Sequence, residues 1–435
     1  MAVQVSRDSS NVWTWLVLLF GGFAALVLGY VLLVEAPPPP RIVISTGSQE
    51  GAYYQFAQRY AELLKQDGIT LEVRTSKGSV ENLKLLNDED SDVNVALVQS
   101  GIAVPSQCEN LKSLCSLYRE PLWIFYRGTE TIDRLAQLEG KRVAIGPEGS
   151  GTRAIAMQLL HANEMDGSHA DLLATSGNNA ADALQRGEID TAFFVASIDA
   201  AYIQRLNKDP TIKLAVLAHA EAYLRRYRHL SKVTVHAGLL DLKNNLPTND
   251  LVLIAPAATL VAKDSMHPAL IPLLLKVAAK VHRGGDVLTN GGEFPTTSFT
   301  DLPLSDDAEH FFKYGPPVLQ RVLPFWLASL IDRTKLMIIP LIVLLMPLVR
   351  VAPPLVRWRT RRKIYLWYVM LREIDQKAMH GIAAPEAQRS LNDLKALEQQ
   401  IANLGVPLSY MEEYYNLRLH LHLVRTRIEV LTKTS

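Results

Sequence analysis

The chain has 435 residues, with 45 basic and 44 acidic side chains and a formal net charge of +1. The length is enough for two or three domains, and the balanced charge gives no indication of nucleic-acid binding. Hydrophobic residues make up 48% of the chain, close to the average for soluble proteins, but two segments concentrate them.

The first apolar segment predicts a transmembrane helix near the N-terminus. Residues 12–34 contain no charged side chain, and about 20 apolar residues suffice to cross a bilayer. A cleaved signal peptide, whose apolar core is shorter, is the alternative. Four prolines then predict a stiff extended spacer over residues 35–40. Residues 1–11 would be a cytoplasmic N-terminus.

From Arg41 the chain alternates strand-like and helix-like segments. The runs "RIVIST", "ITLEVRTS" and "VNVALVQS" predict strands, and "YYQFAQRYAELLKQDG" and "SVENLKLLNDED" predict the helices between them, with Ser79 as an N-cap. The alternation restarts with "LWIFYR" and "KRVAIG". We therefore predict two α/β lobes of parallel strands in an extracytoplasmic domain over residues 41–315. The second lobe would span about residues 127–245, with its boundary near Arg127–Leu138.

The two cysteines of the chain, Cys108 and Cys115, both fall in this domain. In an oxidising compartment their spacing favours a local disulfide, and two unpaired thiols are the alternative. Neither the cysteines nor the 11 scattered histidines show the spacing of metal ligands. We expect no metal and no cofactor.

Small polar residues follow nearly every predicted strand, at the sheet edge where ligands bind in α/β folds. Glycines admit a ligand to backbone N–H groups, and helix N-termini favour anions. One such loop is more often just a helix cap, but five at one edge predict an anion site between the lobes. The loop "GPEGSGT" lacks the lysine of a phosphate-binding P-loop. With no nucleophile beside a base, we expect no enzyme.

A second apolar segment follows the α/β region. Residues 336–356 predict another transmembrane helix, with a buried or interfacial helix as the alternative, and residues 316–335 predict an interfacial segment. The basic run "RWRTRRK" comes directly after it, which places that side in the cytoplasm. Both termini would then be cytoplasmic.

The tail, residues 357–435, predicts a helical hairpin. Its second helix repeats apolar residues at alternating spacings of three and four, which is the pattern of a heptad seam. Ser409 and Glu412 form a capping box before that helix. The seam either closes the hairpin or binds a partner, including a second copy of the chain.

Four blocks of the α/β region resemble one family. They are "ISTGSQEGAYYQFAQRYAELL", "TSKGSVENLKLLNDEDSDVNVALVQS", "LEGKRVAIGPEGSGTR" and "ALQRGEIDTAFFVA". In this order they resemble the TAXI family, the extracytoplasmic solute receptors of TRAP transporters. The resemblance implies a type II periplasmic-binding-protein-like fold that captures a small carboxylate or amino acid, such as glutamate. The positions that match the family's ligand contacts are Thr46, Gly47, Tyr53, Ser79, Gln99, Ser100, Ser150, Gly151 and Thr152.

Together these features predict a solute-binding receptor anchored in the bacterial inner membrane, with its binding domain outside or in the periplasm. Its expected partners are the ligand, the bilayer and a TRAP-type integral membrane permease. The second apolar segment and the tail depart from the usual receptor of the family. A transmembrane sensor or scaffold that signals through its tail is therefore the alternative.

Overall fold

A computed structural model describes residues 20–24, 27–28, 36–335, 342–343, 346, 367–380, 384–402 and 411–434. The chain divides into two compact units, one formed by Glu35–Arg333 and the other by Met1–Val34 with Thr334–Ser435. The first unit contains the α/β region and is itself built from two lobes.

The first lobe is a five-stranded sheet in the order β2-β1-β3-β12-β4. Three strands are parallel, and β12 runs antiparallel to β3 on one side and to β4 on the other. Its strands are β1 (Arg41–Ser45), β2 (Thr70–Arg74), β3 (Val95–Gln99), β4 (Leu111–Arg119) and β12 (Ala257–Lys263).

The second lobe repeats this topology in the order β7-β6-β8-β5-β9. Here β6, β7 and β8 are parallel, and β5 is the antiparallel strand beside β8 and β9. Strands β10 and β11 form a separate antiparallel pair. The strands of this part are β5 (Leu122–Arg127), β6 (Arg142–Ala144), β7 (Asp171–Leu173), β8 (Thr191–Val195), β9 (Ile212–Leu214), β10 (Ser231–Val235) and β11 (Leu251–Ala255).

Helices cover both faces of each sheet. In the first lobe α1 and α7 pack on one face and α2 on the other, and in the second lobe α3 and α6 lie opposite α4 and α5. The helices are α1 (Ala52–Gln66), α2 (Ser79–Asn87), α3 (Gly151–His161), α4 (Gly177–Arg186), α5 (Ala201–Lys208), α6 (Ala220–Arg226), α7 (Leu270–His282), α8 (Asp306–Tyr314) and α9 (Val318–Val322). Each lobe is thus a three-layer α/β sandwich with its own core.

The chain crosses between the lobes twice. It enters the second lobe at Glu120–Pro121, between β4 and β5, and returns at Pro256, between β11 and β12. Two α/β lobes joined by two crossings are the architecture of a periplasmic-binding-protein-like fold, as predicted. The first crossing lies earlier than the predicted boundary near Arg127–Leu138, because "LWIFYR" forms β5, which pairs with strands that come later in the chain.

The predicted disulfide between Cys108 and Cys115 is wrong, because both cysteines are buried free thiols. Cys115 lies on β4 and faces the core under α1 and α7. Cys108 packs against Leu83 and Leu86 of α2, on the opposite face of the same sheet. The sheet itself separates the two sulfur atoms.

The predicted membrane spans at residues 12–34 and 336–356 fall mainly outside the described residues. Within the described ranges, no helix has both the length and the apolar character needed to cross a bilayer. In the tail, α10 (Ala384–Ala402) packs along α11 (Met411–Thr434). Their shared core contains Leu394, Leu397, Leu417, Leu421 and Val424. Ser409 of the predicted capping box lies outside the described residues.

Candidate functional site

The two lobes meet where a loop of the second lobe reaches the N-terminus of α2. The carbonyl oxygen of Gly149 accepts hydrogen bonds from the backbone N–H groups of Val80, at 3.1 Å, and Glu81, at 3.3 Å. The first N–H groups of a helix have no partner inside it. The second lobe therefore caps a helix of the first, which describes a closed arrangement of the lobes.

Glycine makes this approach feasible on both sides. Gly78 has a φ of +126°, and a Cβ atom there would lie 3.2 Å from the Cα atom of Ser150. Gly149 has a φ of +90°, and a Cβ atom there would lie 3.2 Å from the Cβ atom of Lys77. Larger residues would strain the backbone and crowd the opposite lobe.

Three of the predicted site residues come together at this contact. A Cβ atom on Gly151, the first residue of α3, would lie 2.1 Å from Oε1 of Gln99 and 3.1 Å from Oγ of Ser79. The backbone N–H of Gln99 donates to Ser79 Oγ over 3.0 Å. The strand end of β3 and the first turns of α2 and α3 therefore meet between the lobes.

The Gln99 amide is the unusual group of this cluster. Its side chain is 3% exposed, and its Nε2 is a buried donor without a hydrogen-bond partner among the described residues. Buried polar groups are nearly always paired, so an unpaired donor requires an explanation. A ligand acceptor group would supply the missing partner.

A buried carboxylate that the sequence did not indicate lies at the same sheet edge, on the far side of β12. Glu120 is 5% exposed, and its carboxylate accepts hydrogen bonds from Tyr53 Oη at 2.8 Å and from Tyr118 Oη at 3.4 Å. Burial raises the pKa of Glu120 to about 7, and the two tyrosine hydrogen bonds oppose that rise. Burial and the neighbouring Glu120 charge raise the pKa of Tyr53, and nearby Ser79 opposes that rise, so Tyr53 lies between the carboxylate and the interlobe cluster.

Three other predicted residues serve the scaffold. Thr46 Oγ1 donates to the carbonyl of Arg74 over 2.7 Å, and the carbonyl of Gly47 accepts from Ser76 N over 3.3 Å, so both join the ends of β1 and β2. Ser100 Oγ donates to the carbonyl of His229 over 3.0 Å. These contacts hold the strand ends in place and leave the three residues in supporting positions.

Two predicted site residues lie at the start of α3. Ser150 is the N-cap of α3, since its Oγ accepts from Arg153 N at 3.2 Å and donates to the carbonyl of Pro147 at 2.8 Å. Thr152 is half-buried in the first turn of the same helix. Ser79 is not the N-cap of α2, because that position is occupied by Gly78.

Sequence reasoning also missed Asn82, which organises the first-lobe edge. Its Nδ2 donates to the carbonyls of Thr46, at 2.6 Å, and Leu97, at 2.7 Å, while its Oδ1 accepts from Ser45 and Ser76. An asparagine on the apolar face of α2 was the available signal. For Glu120 the signal was an acidic residue between two apolar strands.

The arrangement offers hydrogen-bond donors from the N-terminus of α3 and from the Gln99 amide, and it offers the Glu120 carboxyl group as an acceptor. In the described part of the chain, no group of three or more His, Cys, Asp or Glu side chains is placed to hold a metal ion. Groups of this kind can recognise a small polar molecule by hydrogen bonds.

Solved structures with weak similarity include the aliphatic sulphonate binding protein SsuA of Escherichia coli, with 14% identity over 56% of this chain and 73% of that chain and a TM-score of 0.36. An ancestral arginine-binding protein bound to arginine has 12% identity over 57% and 95%, with a TM-score of 0.37. A histidine kinase sensor domain with similarity to periplasmic binding proteins has 15% identity over 57% and 92%, with a TM-score of 0.36. Similarity at this level gives no conclusion about a ligand.

The model of the NMT1-like family matches residues 44–279, which is more than half of the 435 residues and includes both crossings and the interlobe cluster. This match and the two-lobed α/β fold together support a solute-binding protein. The chain belongs to the NMT1-like family.

Proposed function

We propose that the chain is a membrane-anchored extracytoplasmic receptor that captures a small carboxylate or amino acid, similar to glutamate, for a TRAP-type permease. The observation that carries the proposal is the buried, unpartnered Nε2 of Gln99 at the contact between the lobes. The N-terminus of α3 from the second lobe lies at the same place, and helix N-termini favour anions.

In the proposed cycle the ligand enters while the lobes are apart. Gln99 and the N-terminus of α3 take its carboxylate, and the lobes close about the crossings at Glu120–Pro121 and Pro256. Closure then forms the hydrogen bonds from Val80 and Glu81 to Gly149. A ligand drives closure only to the extent that it binds the closed state more tightly than the open one. We propose binding and release without a chemical step.

Exposed apolar side chains support the membrane anchoring. Val318 and Val322 lie on α9, and Trp326 follows after the helix has ended; all three are largely exposed and precede the apolar segment at residues 336–356. Exposed apolar residues with a tryptophan among them suit the membrane interface. We therefore place the protein in the bacterial inner membrane, with its binding domain outside or in the periplasm.

A transmembrane sensor remains a second candidate, because α11 exposes a separate apolar stripe. Tyr415, Leu419 and Leu423 are exposed at four-residue spacing on the side away from α10. Such a stripe suits a protein partner or a second copy of the tail. A Leu419→Glu variant that separates oligomers of the purified full-length chain in light scattering would favour this candidate.

Calorimetry on the full-length protein in detergent tests the receptor proposal. Titration with dicarboxylates and amino acids should give saturable 1:1 binding for at least one compound, and the same compound should bind a complex with a co-expressed multi-span permease. Absence of binding for the whole panel would contradict the proposed ligand class. Binding without any permease, but with a ligand-dependent change in tail association, would favour the sensor.

A further inference from the structure

Glu120 is a buried carboxyl group without a cationic partner among the described residues. It accepts hydrogen bonds from Tyr53 and Tyr118 and forms no ion pair with a described residue. The adjacent cation, Arg119, forms an ion pair with Glu293 at 2.5 Å and donates a hydrogen bond to Ser231 Oγ over 3.1 Å. An ionised carboxylate has about four acceptor positions, and burial of a charge without a partner is costly.

The carboxylate lies at the same sheet edge as the unpartnered Gln99 amide. The backbone N–H of Ser100, the residue after Gln99, donates to the carbonyl of Ala257 over 2.8 Å. On the other side of the start of β12, the backbone N–H of Glu120 donates to the carbonyl of Pro256 over 2.9 Å. Two strand spacings put these backbones about 10 Å apart. Tyr53 lies between the two groups, because it donates to Glu120 and is near Ser79, the acceptor for Gln99 N.

Both lobes contribute to the surroundings of Glu120. Tyr53 comes from α1 and Tyr118 from β4 of the first lobe. Tyr202 comes from α5 of the second lobe, where burial, and after it the charge of nearby Glu120, raises the pKa of Tyr202 to about 12. The position is therefore at the base of the interlobe region, and the phenol rings around it exclude water. Aromatic walls with a central carboxylate are well suited to a cationic ligand group.

The two unsatisfied groups have opposite requirements. Gln99 Nε2 is a donor without an acceptor among the described residues, and the ionised form of Glu120 lacks a cation that would stabilise it. We propose that Glu120 receives the protonated amine of an α-amino acid held between the lobes, while Gln99 Nε2 receives the carboxylate of the same molecule. This assignment rests on the proposed solute-binding function and narrows its ligand class from carboxylates to amino acids.

Matched pairs of compounds that differ by the amine test the assignment. The probes are L-glutamate with glutarate, and L-leucine with 4-methylpentanoate, titrated calorimetrically into the full-length protein in detergent. For at least one pair, the wild type should bind the amino acid about tenfold or more tightly than its des-amino partner, because the amine forms a charge-assisted hydrogen bond. Glu120→Gln should abolish that difference, and Glu109→Gln, a change at an exposed carboxylate, should preserve it.

A second readout needs no variant and covers the case in which Glu120→Gln fails to fold. Near pH 6 the buried Glu120 carboxyl is largely protonated, so accepting an amine should release about one proton to the buffer. The heat of amino-acid binding should then depend on the ionisation enthalpy of the buffer, and the heat of des-amino binding should not.

The outcomes separate this inference from the function on which it rests. Equal binding of both members of each pair, a preference that survives Glu120→Gln, or amino-acid binding without proton release would overturn the Glu120 assignment and leave a carboxylate receptor. Absence of binding for all four probes would reject the assignment together with the proposed ligand class.

Discussion

Tyr53 donates its phenolic O–H to the Glu120 carboxylate over 2.8 Å, which ties the start of α1 to the first crossing between the lobes. Tyr53→Phe leaves this buried acceptor with one donor fewer. The free energy of unfolding should fall by about 1–2 kcal/mol, measured by urea denaturation of the full-length protein with near-UV circular dichroism. Tyr54→Phe, at the partly exposed neighbour, is the matched control. An equal loss in both variants would contradict a specific role for the hydrogen bond.

The buried Glu120 carboxyl should make stability depend on pH. Burial raises its pKa from 4.5 to about 7 in the folded state, so between these values the folded chain holds a proton that the unfolded chain has released. The contribution of this proton to the free energy of unfolding is fully present below about pH 4.5 and is lost as the pH rises through 7. The total loss is about 3 kcal/mol.

Glu120→Gln isolates this contribution, because glutamine does not titrate. The difference in unfolding free energy between the wild type and the variant should fall from pH 4.5 to pH 7. Asp301, a second buried carboxyl whose pKa is raised to about 6, is present in both proteins and cancels in the difference. A difference that is constant over this range would show that Glu120 titrates normally.

Gly78 should control closure of the lobes. Gly78→Ala places a Cβ atom 3.2 Å from the Cα atom of Ser150 in the opposite lobe, so we expect the closed population to fall and ligand affinity to drop about tenfold. Gly128→Ala is the matched control, because Gly128 also has a positive φ, +149°, but has no atom within 4 Å of the added Cβ. Both variants carry backbone strain, of about 1 kcal/mol.

Spin labels on the two lobes report this change directly. Lys84 on α2 and Arg186 on α4 are exposed positions in the first and second lobes. Their distance distribution in the full-length protein should shift to longer values in Gly78→Ala and remain that of the wild type in Gly128→Ala. Identical distributions in all three proteins would show that this glycine does not limit closure.

The serine before α3 should act through the helix rather than through the ligand. Ser150→Ala removes an N-cap whose Oγ accepts from Arg153 N, and it should cost about 1 kcal/mol of stability. Thr152→Ala should change stability by less than about 0.5 kcal/mol. The two single variants, measured by urea denaturation, separate these effects. A larger loss in Thr152→Ala would contradict the capping role of Ser150.

Local patterns were sufficient to predict the repeated strands and helices. Alternating apolar residues located β1, β2 and β3, and their order predicted parallel strands and two lobes. The pattern did not reveal which sheet β5 joins, because its partners β8 and β9 lie later in the chain. It also gave no sign of β4, whose cysteine suggested a disulfide loop.

The sequence indicated which strand ends would meet, but it did not indicate the buried carboxyl and amide groups near them. Small residues at strand ends indicated where Ser79, Gln99 and Gly151 would meet. Glu120 was not predicted, because its partner Tyr53 is 67 residues away in the chain. A buried donor such as Gln99 Nε2 also becomes apparent only once the surrounding lobes are folded.

Gln99→Met is the most direct test of the interlobe site. Methionine has a similar shape but no amide, so the variant removes a buried donor that has no partner in the described structure. Stability should be unchanged or higher, while calorimetric affinity of the full-length protein for the amino acid or carboxylate that it binds should fall about tenfold or more. Gln55→Met, at an exposed position on α1, should bind like the wild type. Loss of stability with unchanged affinity in Gln99→Met would contradict a ligand site between the lobes.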